Sequence, residues 1–443
     1  MLNSIDRKVP LAGRLISHLR LPLYRNGYLL TFSSVASSGL GLMYWMLAAR
    51  YYPANVVGLN SALISAMMLL AGISLFSLNT ALIRFVPLAG RATPRLIAYS
   101  YLFSLATSAV ISIVFCLVAG STSPTFRFLV DNPVWLVSFV LATMAWGIFS
   151  LQDSALIGLR QSAWVPIENI TFAVIKIVLL IVFAAILQQS GLFASWNIPV
   201  ILSLPLVNIL IFRRLIQKHF RATADKAAPL ILSQIVRYSA GNYLGTLFFL
   251  ASTTLLPIIV ASRLGAAANA YFYIPWTIAS GLQLVAFNMT TSLTVEATLD
   301  RAQLASYCRR VLKQTLRLMV PLVIVILLGA NVILLLFGPA YAAEGAALLR
   351  WLSLATLPNV VVAVAISLAR VRNNAGMIVL IQGSLCVLGL GLSFALFPVA
   401  GITGVGIAWL VSQSLVALVL SLTILKPILL PNMLPGSVRI SDE

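Results

Sequence analysis

The stretch LAARYYPANVVG (47–58) joins two long apolar runs near the start of the chain. Residues 26–49 carry no charge, and neither do residues 51–83, so Arg50 is the single charged side chain between the two runs. A helix needs about 20 apolar residues to cross the hydrocarbon core of a bilayer. Each run is long enough, and the stretch therefore predicts a membrane hairpin over 27–87.

The same pattern returns in the second half of the chain. IVASRLGAAANAY (259–271) places Arg263 between two further charge-free runs, 238–262 and 264–295. A pattern that recurs in this way indicates an internal repeat. The chain is therefore expected to consist of two comparable halves.

Composition indicates an integral membrane protein. The 443 residues are 60% hydrophobic and 9% charged, whereas a soluble chain is about one quarter charged. The net charge of +19 does not indicate nucleic acid, because most basic residues fall in short connections between apolar runs. Cys116, Cys308 and Cys386 are far apart, so neither a metal site nor a disulfide framework is predicted.

Twelve membrane spans are predicted from the apolar runs. PVAG (398–401) divides the last charge-free run, because proline and glycine interrupt helices. The predicted spans are 27–49, 57–82, 96–119, 134–156, 164–187, 195–212, 238–262, 266–295, 317–337, 346–369, 375–397 and 402–425.

Lysine and arginine positions set the predicted orientation. With both termini in the cytoplasm, 24 of the 29 basic residues fall on the cytoplasmic side, as the positive-inside rule requires. The fold class is therefore predicted to be all-α and integral to the membrane, with two parallel six-helix lobes around a central cavity. The lobes cover 27–212 and 238–425, and the cytoplasmic segments are 1–26, 213–237 and 426–443.

Lys176 is predicted to lie near the middle of the fifth span, within FAVIKIVLLIVF (172–183). A charge at that depth costs about 2.5–3.5 kcal/mol, so it needs a physical reason. One interpretation is a lysine that faces the cavity. The alternative is an internal pair with Asp153, or with a polar neighbour such as Asn169. Glu168 shares a helix face with Lys176, and a functional reading makes Asp153 and Glu168 candidates for ion coupling.

Other candidate residues lie at or near the span ends. Glu296 is an acidic exception at the cytoplasmic end of the eighth span, and it is a further candidate for charge pairing or ion coupling. Two amides, Asn242 and Gln283, suit sugar hydroxyls, although amides also join helices within membranes. Together with Lys176, four arginines are expected to form a basic funnel that opens inward: Arg25, Arg84, Arg237 and Arg370.

No catalytic constellation is found in the sequence. There is no GxxxxGK[ST] phosphate loop, and HExxH, CxxC and GxSxG motifs are also missing. No cofactor is therefore predicted, and the chain is not expected to be an enzyme. A basic cavity without such chemistry favours the movement of an anionic ligand over its conversion.

The chain resembles the polysaccharide-flippase branch of the multidrug/oligosaccharidyl-lipid/polysaccharide exporter superfamily. The resemblance covers nearly the whole chain, and the pattern and twelve-span topology support it rather than any single motif. The residues concerned are RNGY (25–28), FSSVASSGLGLMYW (32–45), ARYYPANVVG (49–58), NTALIRFVP (79–87) and SRLGAAANAYFYIPWTIASGLQ (262–283).

The resemblance implies a V-shaped cavity that faces each side of a bacterial inner membrane in turn. It implies flipping of an undecaprenyl-diphosphate-linked oligosaccharide to the outer leaflet, for O-antigen, capsule or exopolysaccharide assembly. Partners would be the lipid-linked oligosaccharide, membrane lipids and a polysaccharide polymerase or export machinery. The peptidoglycan-precursor branch resembles a fourteen-span design, whereas twelve spans are predicted here. That difference disfavours lipid II as cargo. The residues expected to hold the diphosphate are Lys176, Arg25, Arg84 and Arg237.

Two alternatives remain open. A cation-coupled multidrug exporter of the same superfamily typically needs an acid in the membrane, and the first two predicted spans contain none. A polymerase or ligase of lipid-linked sugars usually has a large periplasmic loop, whereas the longest predicted outer loop here is 120–133.

Overall fold

A computed structural model describes the backbone of residues 38–223, 232–299, 304–372 and 374–426. Within these ranges the chain is almost entirely helical and contains no strand. The first helix, α1, covers 38–51 in the described part. The helices that follow are α2 (Ala54–Ser74), α3 (Leu78–Phe85), α4 (Thr93–Thr122), α5 (Phe128–Asp131), α6 (Pro133–Gly158), α7 (Trp164–Ile186), α8 (Gly191–Leu210), α9 (Ile216–Thr223), α10 (Leu232–Leu264), α11 (Ala266–Leu299), α12 (Leu304–Leu335), α13 (Pro339–Val371) and α14 (Ala375–Leu420).

The helices agree with the twelve predicted spans. Nine helical stretches in the described ranges are long and apolar enough to cross a membrane. The helix over 38–51, α11 and the division of α14 account for the other three. That division lies at Gly401, whose φ of +52° and ψ of −135° leave helical geometry at the predicted PVAG turn. The fold is therefore all-α with two lobes, as the sequence predicts.

The second span contains a break that the sequence does not indicate. Helix α2 ends at Ser74, and α3 begins at Leu78. Between them, Phe76 and Ser77 adopt left-handed backbone angles, with φ of +46° and +57°. Such angles cost a residue with a side chain roughly 1–2 kcal/mol. The break therefore needs support from its surroundings.

The two ends of the helical bundle differ in how the lobes meet. We call the end with the turns at Pro53 and Gly265 the hairpin end, and the end with α9 the linker end. At the hairpin end, residues of both lobes belong to one buried apolar core, which contains Trp45 and Leu63 as well as Ala270 and Leu334. Towards the linker end, each lobe has apolar cores of its own. The lobes are thus joined most firmly at the hairpin end.

Gly58 makes the closest approach between the lobes. A Cβ atom on this glycine would lie 1.6 Å from the carbonyl oxygen of Ala266. The buried amide of Asn269 donates hydrogen bonds to the Gly58 carbonyl at 2.7 Å and to the Ser61 hydroxyl at 3.1 Å. Small residues allow helices in membranes to approach in this way, and polar side chains then bond between them.

Arg50 adds a second link at the hairpin end. Its Nε donates to the carbonyl of Leu336 at 2.9 Å, and Nη2 donates to the carbonyl of Leu335 at 3.1 Å. These carbonyls lie at the end of α12, where backbone acceptors lack helical partners and the helix dipole favours a cation. An arginine of the first lobe thus caps a helix of the second.

The Gly58 contact gives a test of how the lobes are joined. Gly58→Ala should lower the thermal unfolding temperature in detergent, because overpacking of a close contact typically costs about 1–3 kcal/mol. Gly281→Ala is the matched control, since a Cβ there meets no atom within 4 Å. Alanine favours a helix over glycine by about 1 kcal/mol, so the control should be neutral or stabilising. Equal unfolding temperatures for Gly58→Ala and the wild type would contradict the contact.

Candidate functional site

Lys176 lies near the middle of α7 and is buried, with 5% of its surface exposed. Three aromatic rings surround its ammonium group. Nζ lies 3.8 Å from the ring centroid of Trp196, 4.8 Å from that of Phe172 and 4.9 Å from that of Tyr44. We call these three rings the aromatic box.

Helices α1, α7 and α8 build the aromatic box. Phe172 lies one helical turn before Lys176 on α7, so the two side chains share a face. Trp196 lies on α8, and the hydroxyl of Tyr44 on α1 donates to the Leu192 carbonyl at 3.0 Å. That hydrogen bond fixes the ring of Tyr44 against the start of α8.

The aromatic box stabilises the ammonium of Lys176 within the span. A desolvated cation over an aromatic face gains about 2 kcal/mol, which is comparable with the cost of a charge at this depth. No ion pair joins Lys176 to an acidic residue in the part of the chain that the structure describes. The amide of Asn169 donates instead to Asp153 and to the Val165 carbonyl. The alternative of an internal pair with Asp153 or Asn169 is therefore wrong.

The box also borders the second lobe. The Trp196 ring lies 5.9 Å from that of Trp45 between centroids. The Trp45 ring in turn lies 4.6 Å from that of Tyr273 on α11. A chain of ring contacts therefore leads from the buried ammonium to the contact between the lobes.

Asp153 and Glu168 form an acidic pair towards the linker end of the first lobe, in which Glu168 is buried and Asp153 is half-buried. Glu168 is 8% exposed, and neither of its carboxylate oxygens has a hydrogen-bond partner among the described residues. Asp153 accepts one hydrogen bond, from Asn169 at 3.3 Å, while its Oδ1 has none within the same ranges. The two carboxylates interact electrostatically, and Glu168 also interacts with Tyr101. Such an arrangement can accept a proton or a small cation.

The remaining predicted residues are not all described. Arg84 is exposed on α3, with its guanidinium 5.7 Å from the ring centroid of Phe85. Arg370 is exposed at the end of α13, 5.0 Å from the ring centroid of Phe287. Gln283 is half-buried on α11. The side chains of Arg237 and Asn242 on α10 and of Glu296 on α11 lie outside the description, and so does Arg25 as a whole.

The sequence does not reveal the aromatic box, the contact of Tyr243 with Ile73 or the hydrogen bonds of Asn269 between the lobes. Phe172 was detectable as a neighbour of Lys176 at helical spacing. Trp196 and Tyr44 lie on other helices, so no local pattern connects them with the lysine.

The fold is shared with known transporters. No family model and no curated protein sequence matches the chain. Among solved structures, an inward-facing multidrug resistance transporter of the MATE family and MOP superfamily superposes with a TM-score of 0.67. The two chains are 15% identical, over 86% of this chain and 92% of the other.

Two further structures broaden the comparison. The lipid II flippase MurJ, in an inward closed conformation, gives a TM-score of 0.62 at 14% identity over 90% of this chain and 87% of its own. A MOP superfamily transporter from Pyrococcus furiosus, whose reversed pocket polarity suggests a different function, gives 0.56 at 13% identity over 91% and 93%. At these identities the likeness establishes the fold, and the chain has the fold of MOP superfamily transporters.

A double-mutant cycle tests the aromatic box. Trp196→Leu should lower the free energy of unfolding more in the wild type than in Lys176→Met, because only the wild type loses a cation–π contact. The expected coupling is about 1–2 kcal/mol, measured by denaturant unfolding in detergent. The control cycle pairs Lys176→Met with Trp409→Leu in the second lobe and should give no coupling. Equal coupling in both cycles would rule out the box.

Proposed function

We propose that the chain is a membrane transporter that flips an undecaprenyl-diphosphate-linked oligosaccharide from the cytoplasmic to the outer leaflet. The cargo serves a cell-surface polysaccharide such as O-antigen, capsule or exopolysaccharide, and the cycle is one of alternating access. The fold shared with both multidrug transporters and a lipid II flippase supports transport. The resemblance in sequence favours a polysaccharide precursor over lipid II.

The orientation of the lobes is consistent with loading from the cytoplasm. We propose that the linker end faces the cytoplasm, with both termini on that side, as the positive-inside rule predicts, and that the membrane is a bacterial inner membrane, as the resemblance implies. The lobes share a core at the hairpin end and have separate cores towards the linker end. On the side where the lipid-linked precursor would be made, the lobes share no apolar core, and Tyr243 of the second lobe contacts Ile73 and Phe76 of the first.

The observation that carries the proposal is exposed positive charge at the linker end of both lobes. Arg84 belongs to the first lobe and Arg370 to the second, and both are exposed. A guanidinium binds phosphate oxygens through two parallel hydrogen bonds and remains charged in any environment. One arginine from each lobe suits a diphosphate that lies between them.

Lys176 is buried, whereas Arg84 and Arg370 are exposed, so its proposed role differs from theirs. Its ammonium lies in the aromatic box and not at an exposed surface. We assign it a supporting role, in which it contributes positive potential from within the first lobe. Arg25, Arg237, Asn242 and Gln283 remain proposed contacts for the diphosphate and sugar.

A cation-coupled multidrug exporter is the second candidate, because MATE transporters share the fold. Aromatic boxes bind organic cations, and this chain has one. Here, however, the ammonium of Lys176 already fills the box. A cationic drug could therefore enter the box only by displacing that ammonium.

A strain that lacks the protein should accumulate undecaprenyl-linked oligosaccharide in the inner leaflet, and the wild-type gene should relieve this. Arg84→Ala combined with Arg370→Ala should lower flipping by about tenfold or more, because a hydrogen bond to a charged group is worth about 1.5–3 kcal/mol. Lys176→Ala should lower it as well. The measurement is leaflet-specific labelling of the oligosaccharide at matched protein levels.

Arg127→Ala is the control, because this exposed arginine pairs with Asp131 at the hairpin end, 3.5 Å away. Normal flipping by Lys176→Ala would remove that residue from the mechanism. No accumulation in the deletion strain, with increased sensitivity to cationic dyes, would support the multidrug exporter instead. Accumulation of single repeat units in the outer leaflet would indicate a polymerase or ligase.

We further propose that the acidic pair couples transport to an ion gradient, with Glu296 as a third candidate. Asp153→Asn and Glu168→Gln keep shape and remove charge, so each should abolish the dependence of transport on the gradient. The measurement is flipping in vesicles with and without a protonophore, and with sodium present or absent. Wild-type transport that ignores both ions, together with full activity of both variants, would exclude this role.

A further inference from the structure

The break between α2 and α3 leaves two backbone carbonyls without their helical donors. In a continuous helix the carbonyl of Ile73 would accept from the N–H of Ser77, and that of Ser74 from the N–H of Leu78. The Leu78 N–H donates instead to the carbonyl of Leu75, at 2.7 Å, and the Ile73 carbonyl accepts only a long backbone bond from the Phe76 N–H, at 3.4 Å. A kink of this kind persists only where other groups replace the lost partners.

Two side chains approach those carbonyls, and they come from different lobes. The hydroxyl of Thr107 on α4, in the first lobe, lies 3.1 Å from the Ser74 carbonyl and 2.7 Å from the Phe103 carbonyl of its own helix, so its one proton is shared between them. The hydroxyl of Tyr243 on α10, in the second lobe, donates to the Ile73 carbonyl at 3.0 Å. The hydrogen bond to the Ile73 carbonyl therefore depends on the position of the second lobe relative to the first.

The ring of Tyr243 supports the break as well. It stacks on Phe76, with ring centroids 4.6 Å apart and planes at 12°. Phe76 is one of the two residues with a left-handed backbone, and the other, Ser77, has a buried hydroxyl without a partner among the described residues. Tyr243 thus holds a conformation that the local sequence does not favour.

We infer that Tyr243 is a positioning residue for transport, whose hydroxyl replaces the N–H of Ser77 and holds the second span broken while the lobes are together at this point. When the lobes separate there, the break loses its second-lobe donor and its stacked ring. The continuous helix is then favoured, and α3 moves together with Arg84. The break thus couples the separation of the lobes to a movement of α3, which carries Arg84. This coupling does not depend on which cargo is transported.

Double electron–electron resonance in detergent micelles tests this inference without cargo. One spin label replaces the exposed Ile83 on α3, and the other replaces the exposed Val114 on α4. The native cysteines are changed to alanine. We expect one narrow distance distribution with Tyr243, and a broader or two-peaked distribution with Tyr243→Phe, which keeps the ring and removes the hydroxyl.

A second substitution separates positioning from general damage. Glycine adopts left-handed angles at no steric cost, so Ser77→Gly should restore a narrow distribution to Tyr243→Phe. The control pair Val114 and Val178, within the first lobe, should keep its distance in every variant.

Unchanged distributions between positions 83 and 114 in both Tyr243→Phe and Tyr243→Leu would overturn the inference. Equal broadening of the control pair would also overturn it, because the effect would then be loss of the whole lobe packing. Failure of Ser77→Gly to restore the distribution would show that backbone conformation is not what Tyr243 controls. None of these outcomes depends on the identity of the cargo, so the proposed flippase activity stands or falls separately.

Discussion

The contact between Gly58 and the backbone of α11 is the constraint on which the arrangement of the two lobes depends. Within a bilayer, apolar side chains gain little by leaving lipid for protein, so helices associate through close packing and buried hydrogen bonds. Gly58 supplies the close packing, and Asn269 supplies the hydrogen bonds. The shared apolar core and the capped end of α12 surround this contact.

Charge is handled in two separate ways inside the first lobe. The ammonium of Lys176 is surrounded by ring faces, whereas the carboxylates of Asp153 and Glu168 lie without a cation among the described residues. Opposite charges on the same helix face would normally be expected to neutralise each other. Keeping them apart leaves the acidic side chains without a fixed cation among the described residues, as the proposed ion coupling needs. That separation is what a coupled transporter of anions would require.

Much of the fold followed from the sequence because bilayer thickness fixes the length of each span. The division at Gly401 also followed, since proline and glycine mark such turns. The break at Phe76 and Ser77 did not, because Leu75–Leu78 contains neither residue type. The hydroxyl and ring that stabilise the break belong to Tyr243, on a helix of the other lobe. Local sequence patterns predict where a helix lies, but they do not predict which side chains of other helices contact it.

The candidate site shows the same limit. The depth of Lys176 was predictable from the length of its apolar run. Its surroundings were not, because Tyr44, Phe172 and Trp196 lie on three helices and meet only in the folded lobe. Orientation, cargo and the roles of the basic residues rest on resemblance and on charge, and they remain proposals.

The cap that Arg50 places on α12 has a consequence for how the chain assembles. Arg50 and the carbonyl of Leu336 are 286 residues apart in sequence, and Asn269 and Gly58 are 211 apart. Contacts of such high order form late, and domains generally fold as units during synthesis, the N-terminal one first. The first lobe must therefore wait in the membrane with Gly58 uncovered until the second is made. Over that interval, the helix face at Gly58 is open to other helices in the membrane, because small residues allow helices to approach closely.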